Sequence, residues 1–140
     1  MSKILVVDDE KNIRLVVGKS LEKAGFDIVY AVDGVEAVNQ ANKFNPDLML
    51  LDLRLPKMNG FLVLEAIKSD TSTEEIPVII LSALSEEDDV QKAISLGAED
   101  FLVKPISQSD LLAAVEKNIR REETENNKVE NNEEEKNNEE

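Results

Sequence analysis

The first chemical question in this sequence concerns Asp52, a carboxylate at the end of an apolar run. It directly follows Leu48–Leu51, and Leu53 and Leu55 stand close behind it. A carboxylate among leucines is costly to bury unless it is paired, bound to a metal or chemically useful. The leucines predict a buried strand, so we expect Asp52 where that strand ends.

Polar residues also follow three other apolar runs. The full set is Asp8, Asp9 and Glu10 after "KILVV", Asp52 after "LMLL", Ser82 after "VIIL", and Lys104 with Pro105 after "FLV". The second run is the exception, because it ends in Ala31, Val32 and Asp33. In open parallel α/β sheets, ligands bind beyond the carboxyl ends of the strands. We therefore expect three aspartates, a hydroxyl and an ammonium at one edge of the sheet.

This combination suits phosphoryl transfer onto a carboxylate. Three neighbouring carboxylates repel one another unless a divalent cation lies among them, and an all-oxygen site with room for water suits Mg²⁺ or Mn²⁺. A carboxylate such as Asp52 can attack phosphorus and give an aspartyl phosphate. The reaction needs positioning and charge neutralisation, which the metal and Lys104 would provide. Ser82 could donate a hydrogen bond to a third phosphoryl oxygen.

Each residue also has a plainer interpretation when it is taken alone. An acidic pair before a helix favours the positive end of the helix dipole, and "DDE" before "KNIRLVV" fits that interpretation. Ser82 alone is typical of a turn or capping hydroxyl, and Lys104 alone is typical of a solvated lysine. The phosphoryl-transfer hypothesis therefore depends on all of these residues lying at strand ends of one sheet.

The elements that must position these residues form a β-α order repeated five times. Strands are predicted at Ile4–Val7, Asp27–Ala31, Leu48–Leu51, Val78–Leu81 and Phe101–Val103. In the first helical stretch we expect one core face made of Ile13, Val16, Val17, Ser20, Leu21 and Ala24, and Gly25 is expected to end the helix. Asp33 with Glu36 resembles a capping box. Apolar strands joined by helices predict an α/β fold with a parallel sheet covered on both faces.

Composition excludes several kinds of site. The 140 residues include no cysteine and no histidine, which excludes disulfides, thiolate metal sites, phosphohistidine chemistry within this chain and most zinc sites. The net charge of −14 argues against nucleic-acid binding, because phosphate contacts need clustered Lys and Arg. No apolar run reaches the length that spans a bilayer, and no leader pattern precedes the first strand. We expect a soluble cytoplasmic protein with no membrane contact.

The last part of the sequence differs in composition from the rest. We predict one folded domain over residues 1–121 and an acidic, disordered tail over residues 122–140. From Arg121 to Glu140 there are nine Glu and six Asn, and Val129 is the only apolar residue. Such a segment cannot bury enough apolar surface to offset the loss of chain entropy on folding.

Over residues 1 to about 120 the sequence resembles a receiver domain of a two-component response regulator. The resemblance consists of "ILVVDDE", "LLDLRLPKMNG", "VIILSA" and "FLVKP", in this order and spacing. It implies a flavodoxin-like, doubly wound sheet of five parallel strands in the order 2-1-3-4-5, with helices on both faces. Because no DNA-binding or enzymatic output domain follows in this sequence, we expect a single-domain regulator that switches a protein-binding surface, with a receiver excised from a longer chain as the alternative.

The resemblance assigns roles at the site. Asp52 would accept a phosphoryl group from the phosphohistidine of a sensor histidine kinase or a histidine phosphotransfer protein. Asp8, Asp9, Asp52 and the backbone carbonyl of Arg54 would hold Mg²⁺, with Mn²⁺ as an alternative. Lys104 would pair with the phosphoryl oxygens.

The resemblance also implies a conformational switch. Ser82 would move inward to bond the phosphoryl group, and Phe101 would rotate into the space that it leaves. The Lys104–Pro105 peptide would be cis, a bond type confined almost entirely to proline. Phosphorylation would favour one of two forms and so change an output surface at roughly Glu86–Leu96 and Phe101–Arg120. The plainer interpretation of Phe101 is a buried core aromatic.

Two positions next to the site and one leucine carry further hypotheses. In this family the residues two beyond the acceptor and two beyond the switch hydroxyl tune dephosphorylation, and here they are Arg54 and Leu84. Neither has a carboxylate or amide to orient water, so we predict slow loss of phosphate. At about 100° per residue, Leu15 lies opposite the core face of its helix. It is either a docking contact for a kinase or phosphotransfer helix, or an isolated surface leucine.

Two alternatives come from other functional classes. A phosphohydrolase of the haloacid dehalogenase type also uses a strand-end aspartate, but its second Asp would stand where this chain has Arg54. A receiver-like module that binds without phosphate is the other alternative. The main reading is a signalling receiver that is not an enzyme beyond assisting its own phosphorylation and dephosphorylation. It is either a monomer or a homodimer formed on phosphorylation, and its target is left open.

Overall fold

The computed structural model describes residues 2–83 and 86–119. Five strands and five helices alternate along the chain. They are β1 Lys3–Val7, α1 Lys11–Lys23, β2 Asp27–Ala31, α2 Gly34–Phe44, β3 Leu48–Leu51, α3 Gly60–Ser69, β4 Val78–Ser82, α4 Glu87–Ser95, β5 Asp100–Val103 and α5 Gln108–Asn118. The predicted β-α order is confirmed. Three strands extend one residue beyond their predicted bounds, and Ser82 is accordingly the last residue of β4 rather than the residue after it.

The strands form one parallel sheet in the order β2-β1-β3-β4-β5, as predicted. The central strands β3 and β4 are buried along their whole length, because helices cover both faces of the sheet. In the register, Val7 lies beside both Ala31 and Leu51, and Leu51 lies beside Ile80. The carboxyl ends of β1, β2, β3 and β4 therefore reach the same edge.

Alternate residues along the strands pack into two apolar cores, one on each face of the sheet. One core holds Leu5, Met49, Leu51 and Ile80 with residues of α2, α3 and α4. The other holds Ile4, Leu48, Leu50 and Ile79 with Val17 and Leu21 of α1 and with residues of α5. Successive side chains of a strand point to opposite faces, which explains this division. The two cores together fix the strand ends relative to one another.

The core face predicted for α1 is only partly correct. Val17 and Leu21 are buried, but Val16 is 65% exposed, more than Leu15 at 45%. Val16 is one residue from Val17, so it lies about 100° around the helix and outside the buried stripe. Ala24 is also exposed, because it is the C-cap residue and lies beyond the last helical turn. Gly25 follows with φ +101°, as expected for a residue that ends a helix.

The predicted capping box of α2 is present in a shifted form, because the Glu36 carboxylate bonds the residue before the N-cap Asp33. The Asp33 side chain accepts a hydrogen bond from the backbone N–H of Glu36, and the Glu36 carboxylate accepts one from the backbone N–H of Val32. The bond from Glu36 is the main cause that holds the pKa of Asp33 below its usual value. The end of β2 thus serves as a helix start, which explains why it brings no ligand-type residue to the site.

Some predictions fall outside the described residues. Leu84 and the tail over residues 122–140 are among these, so both predictions stay as they were made. Among residues 2–83 and 86–119, no helix combines the length and the apolar character needed to cross a membrane.

Candidate functional site

Backbone hydrogen bonds join the ends of three strands at the site. The N–H of Asp52 donates to the carbonyl of Val7 at 3.1 Å, and the N–H of Asp8 donates to the carbonyl of Ala31 at 3.2 Å. The parallel ladder therefore continues one residue beyond the strands, into the acidic residues themselves. This continuation holds the backbone of Asp8 and Asp52 in place before any side chain makes a contact.

The three predicted carboxylates form one cluster. Carboxylate oxygens of Asp8, Asp9 and Asp52 all lie within 4.8 Å of one another. Asp8 and Asp52 are 2% and 6% exposed, whereas Asp9 is exposed. Two nearly buried carboxylates and one solvent-facing carboxylate would repel one another without a compensating cation.

Lys104 supplies part of that compensation. Its ammonium lies 2.7 Å from Oδ2 of Asp8 and 3.2 Å from Oδ2 of Asp52. Burial of the ammonium lowers its pKa, but the hydrogen bond to Asp8 and the charges of Asp52 and Asp8 together outweigh burial. The pKa of Lys104 is therefore raised above its usual value. Lys104 is therefore positively charged at neutral pH, and it lies between Asp52, the predicted acceptor, and Asp8, a predicted metal ligand.

The remaining carboxylate oxygens accept backbone hydrogen bonds. Oδ1 of Asp52 accepts from the N–H of Arg54 at 3.2 Å, and Oδ1 of Asp8 accepts from the N–H of Glu10 at 2.9 Å. These bonds restrict rotation of each carboxylate. The bond to Asp52 places the backbone N–H of Arg54 next to the predicted acceptor. The role of the Arg54 carbonyl as a metal ligand stays a prediction.

A cavity of about 290 Å³ opens above the cluster. Its described lining residues are Asp9, Glu10, Asp52, Arg54, Ala83 and Lys104. This volume admits a phosphoryl group together with waters, and solvent reaches the acceptor carboxylate from this side. Glu10 was named at the end of the first strand without a role, and Arg54 was predicted as a metal ligand only through its backbone carbonyl.

The structure places the predicted switch residues differently from the acceptor. Ser82 is fully buried and is not among the described residues that line the cavity. Phe101 is half-buried and packs against the core that contains Ile80 and Ala93. The Lys104–Pro105 peptide is cis, as predicted. The structure thus brings Asp8, Asp9, Asp52 and Lys104 together, whereas Ser82 is buried at the end of β4 and Phe101 packs against the core.

The donor set fits the predicted divalent cation. The clustered carboxylates of Asp8, Asp9 and Asp52 supply hard oxygens, and the backbone carbonyl of Arg54 stays a predicted fourth ligand. Few protein ligands beside an open cavity leave room for water, which suits Mg²⁺ better than a metal that needs a closed protein cage. The described residues therefore could hold Mg²⁺ at this position.

The loop after Asp52 is closed by a hydrogen bond at its base and contacts the start of α2. The N–H of Gly60 donates to the carbonyl of Leu53 at 2.9 Å, which closes the loop at its base. At the far end, the N–H of Gly34 donates to the carbonyl of Pro56 at 3.3 Å. A side chain at Gly34 would overlap the Met58 carbonyl, so only glycine allows this approach. No sequence signal identified this contact, because it joins the start of α2 to a loop distant in the chain.

An apolar groove lies beside the acidic cavity. It has a volume of about 470 Å³, and its described lining residues include Ile13, Val16 and Val17 of α1 together with Pro105 and Ile106. Lys104 and Ala83 line both the groove and the acidic cavity. The groove therefore meets the site at its edge, and the unexpectedly exposed Val16 forms part of its wall.

Comparison with known proteins agrees with this geometry. A family model described as the response regulator receiver domain matches residues 4–116. The transcriptional regulator RpaA of Synechocystis sp. is 40% identical over 121 residues, which make up 86% of this chain and 50% of RpaA. This chain spans about half the length of the curated relatives it matches.

Solved structures show the same fold. The chemotaxis response regulator CheY4 of Vibrio cholerae has a TM-score of 0.79 and 32% identity, covering 84% of this chain and 98% of that chain. The receiver domain of the sensor histidine kinase PA1611 from Pseudomonas aeruginosa, solved with a magnesium ion coordinated in its active site cleft, has a TM-score of 0.77 and 27% identity, covering 83% and 95%. From its sequence match, its fold and its acidic cluster, the chain belongs to the response regulator receiver domain family of two-component systems.

Proposed function

We propose that Asp52 accepts a phosphoryl group from the phosphohistidine of a partner, either a sensor histidine kinase or a histidine phosphotransfer protein. The observation that carries this proposal is the position of Lys104, which bridges Asp52 and Asp8 beside an open cavity. That arrangement presents a nucleophile, a fixed cation and a set of metal-ligand oxygens to one incoming group.

In the proposed reaction, a carboxylate oxygen of Asp52 forms the new O–P bond. The P–N bond to the partner imidazole breaks, and its electron pair stays on the ring nitrogen. The carboxylates of Asp8, Asp9 and Asp52 and the carbonyl of Arg54 would hold Mg²⁺. The bound ion would supply positive charge to the phosphoryl oxygens. The Lys104 ammonium, 3.2 Å from Asp52, stabilises charge on another phosphoryl oxygen.

The apolar groove supports a helical partner as donor. Its walls from α1 and from Pro105 and Ile106 are apolar and it adjoins the acidic cavity through Lys104 and Ala83. A helix that laid apolar side chains in the groove would bring a neighbouring histidine towards Asp52. We assign the partner contact to Val16 in addition to the predicted Leu15, because both are exposed on α1.

We further propose that the bound phosphoryl group acts on Ser82 and Phe101. Ser82 ends β4, which lies between β3 and β5, and its movement towards the phosphoryl group would change the packing beside Phe101 of β5. The output surface would be formed by α4, β5 and α5, which acts on a protein target. The chain's net charge of −14 favours such a target over nucleic acid.

The signalling role is preferred to that of a phosphohydrolase. Arg54 stands two residues beyond Asp52, where the hydrolase reading would need a second carboxylate to act as general acid. The single-domain regulator, as a monomer or a homodimer formed on phosphorylation, belongs to the same proposal. The match to RpaA covers 50% of that relative, so the single-domain role is proposed for this chain and is not taken from RpaA.

The test is incubation of the protein with acetyl phosphate and Mg²⁺, followed by intact mass measurement. The wild type should gain one phosphoryl group, and Asp52→Ala should gain none. Asp27→Ala is the matched control, since Asp27 is an exposed aspartate that begins β2 at the opposite edge of the sheet. An adduct on Asp52→Ala, or no adduct on the wild type, would overturn the proposal.

A further inference from the structure

We infer that Arg14 is a positioning residue for the metal site, acting through the backbone of Asp8 and not through its own contact with metal or phosphate. The inference rests on the proposed function only in assigning Mg²⁺ to the acidic cluster. Nothing in the resemblance assigned a role to Arg14. Its place in the second turn of α1 made it one more polar residue on a helix surface.

The central observation is a hydrogen bond between α1 and the end of β1. A guanidinium nitrogen of Arg14 donates to the backbone carbonyl of Asp8 at 2.8 Å. Arg14 is half-buried, so water competes less with this bond than it would at an exposed position. The guanidinium is a fixed planar donor group that holds an acceptor in a defined direction.

With this bond, each polar group of Asp8 is engaged. Its N–H donates to the Ala31 carbonyl, its carbonyl accepts from Arg14, and its carboxylate oxygens accept from the Glu10 N–H and from Lys104. Three of these bonds come from the end of β2, the local turn and the residue after β5, and they follow from the order of the strands. The bond from Arg14 is the only one of the four supplied by α1.

The turn that Arg14 secures also carries Asp9. Asp9 is exposed, and among residues 2–83 and 86–119 no group hydrogen-bonds its carboxylate, so its position depends on the backbone of residues 8–10. If the turn is already ordered before Mg²⁺ binds, the binding free energy does not include the entropy cost of ordering the turn. Partners outside the coordinating shell commonly change metal affinity by about 10–100-fold for this reason.

A simple charge argument predicts the opposite sign. Arg14 is a cation close to a site for another cation, so removing its charge should strengthen Mg²⁺ binding if electrostatic repulsion were its main effect. If Arg14 positions the turn, removing it should weaken Mg²⁺ binding in spite of the relief of repulsion. The sign of the change therefore separates the two roles.

The experiment is calorimetric titration of Mg²⁺ into unphosphorylated protein, with no phosphodonor present. Arg14→Met, which keeps an apolar chain but removes the donors, should bind Mg²⁺ about tenfold more weakly. Lys11→Met is the matched control, because it removes an exposed positive charge from the first turn of α1. It should bind Mg²⁺ as tightly as the wild type or slightly more tightly.

A second measurement tests the mechanism. Hydrogen exchange of the Glu10 amide, which donates to Asp8, should be faster in metal-free Arg14→Met than in the wild type. Equal or tighter Mg²⁺ binding by Arg14→Met, an equal loss in Lys11→Met, or unchanged Glu10 exchange would each overturn the inference. If Arg14→Met does not fold, Arg14→Lys replaces it, because the lysine amine lacks the planar fork of the guanidinium. Arg14→Lys should also bind Mg²⁺ more weakly than the wild type. Because no phosphoryl transfer is measured, failure here is distinct from failure of the acetyl phosphate test.

Discussion

Lys104 and Asp52 are 52 residues apart in the chain, and the Lys104 ammonium lies 3.2 Å from the Asp52 carboxylate. The sheet order explains the approach, since β3 and β5 flank β4 and all three end at one edge. Lys104 enters the site from the residue after β5, and Asp52 enters from the residue after β3. This pair connects the stability of the metal-free protein to its proposed chemistry.

Replacing Lys104 should therefore affect both stability and metal response. In Lys104→Met, the nearly buried carboxylates of Asp8 and Asp52 lose their shared cation, and we expect a loss of about 1–3 kcal/mol in the free energy of unfolding without metal. Added Mg²⁺ should stabilise this variant more than it stabilises the wild type, because it replaces the missing charge. Chemical denaturation with and without Mg²⁺ measures both effects.

Lys68→Met is the control for that experiment. Lys68 also makes a partly buried ion pair, with Glu99 at 3.3 Å, but it lies away from the acidic cluster. It should lower stability without changing the response to Mg²⁺. An identical Mg²⁺ response in Lys104→Met and wild type would show that Lys104 does not balance the cluster.

The raised pKa of Lys104 predicts a specific pH dependence. A lysine whose pKa is higher in the folded state than its ordinary value of 10.5 contributes stability that is complete below the ordinary value. That contribution is lost as pH rises through the folded-state pKa. The stability difference between wild type and Lys104→Met should therefore be constant from about pH 7 to 9 and should decline above about pH 10.5.

Urea unfolding of both proteins at each pH measures that difference. Titration of groups that the two proteins share, including Tyr30, cancels when the two free energies are subtracted. If the stability difference between the two proteins already declines between about pH 7 and 9, the pKa of Lys104 is lowered by burial more than it is raised by the acidic partners.

The contact between α2 and the acceptor loop gives a third prediction. Gly34→Ala must displace the Met58 carbonyl, and backbone yields less readily than the end of a side chain. We expect a loss of about 1–3 kcal/mol in the free energy of unfolding, with amide shifts in the loop from Leu53 to Asn59. Denaturation and two-dimensional NMR measure these effects.

Gly18→Ala is the matched control for the α2 contact. Its added methyl meets the hydroxyl of Tyr30, which is the far end of a side chain, and alanine is favoured within a helix by about 1 kcal/mol. It should cost less stability than Gly34→Ala and should leave the amides of the acceptor loop unchanged. Equal effects of the two substitutions would contradict the special role of the Gly34 contact.

The sequence was sufficient for features that depend on local pattern and strand order. The apolar run Leu48–Leu51 located β3, and the polar residues at strand ends located Asp8, Asp52 and Lys104. The strand order itself came from the resemblance, because periodicity cannot say which strands are neighbours. Val16 was misplaced because a helix pattern does not show how wide the buried stripe of the helix is.

The contacts of Arg14 and Gly34 could not be predicted for a related reason. Arg14 reaches a backbone carbonyl, and Gly34 meets a backbone loop, so neither partner is marked by a characteristic side chain. Whether such atoms meet depends on the path of the chain in three dimensions. A single sequence displays side-chain types, and it therefore indicated the acidic cluster but not the backbone contacts that hold it.

The residues around the acceptor predict a long-lived aspartyl phosphate. The Arg54 side chain is exposed and lines the acidic cavity, where it offers positive charge but no group that accepts a proton from water. Leu84 lies outside the described residues, and its side chain cannot orient water either. Arg54→Asn combined with Leu84→Glu should shorten the phosphate half-life about tenfold or more, since a positioned polar group speeds such steps by roughly 10²–10⁴ at best.

The half-life can be followed by intact mass after phosphodonor is removed, with Mg²⁺ in excess. Arg54→Met with Leu84→Met is the matched control, because it changes the same positions without adding a group that orients water. The control pair should keep a half-life close to that of the wild type. If both pairs shorten the half-life equally, the Arg54 charge itself retains the phosphoryl group, and if neither does, attack by water is limited elsewhere in the site.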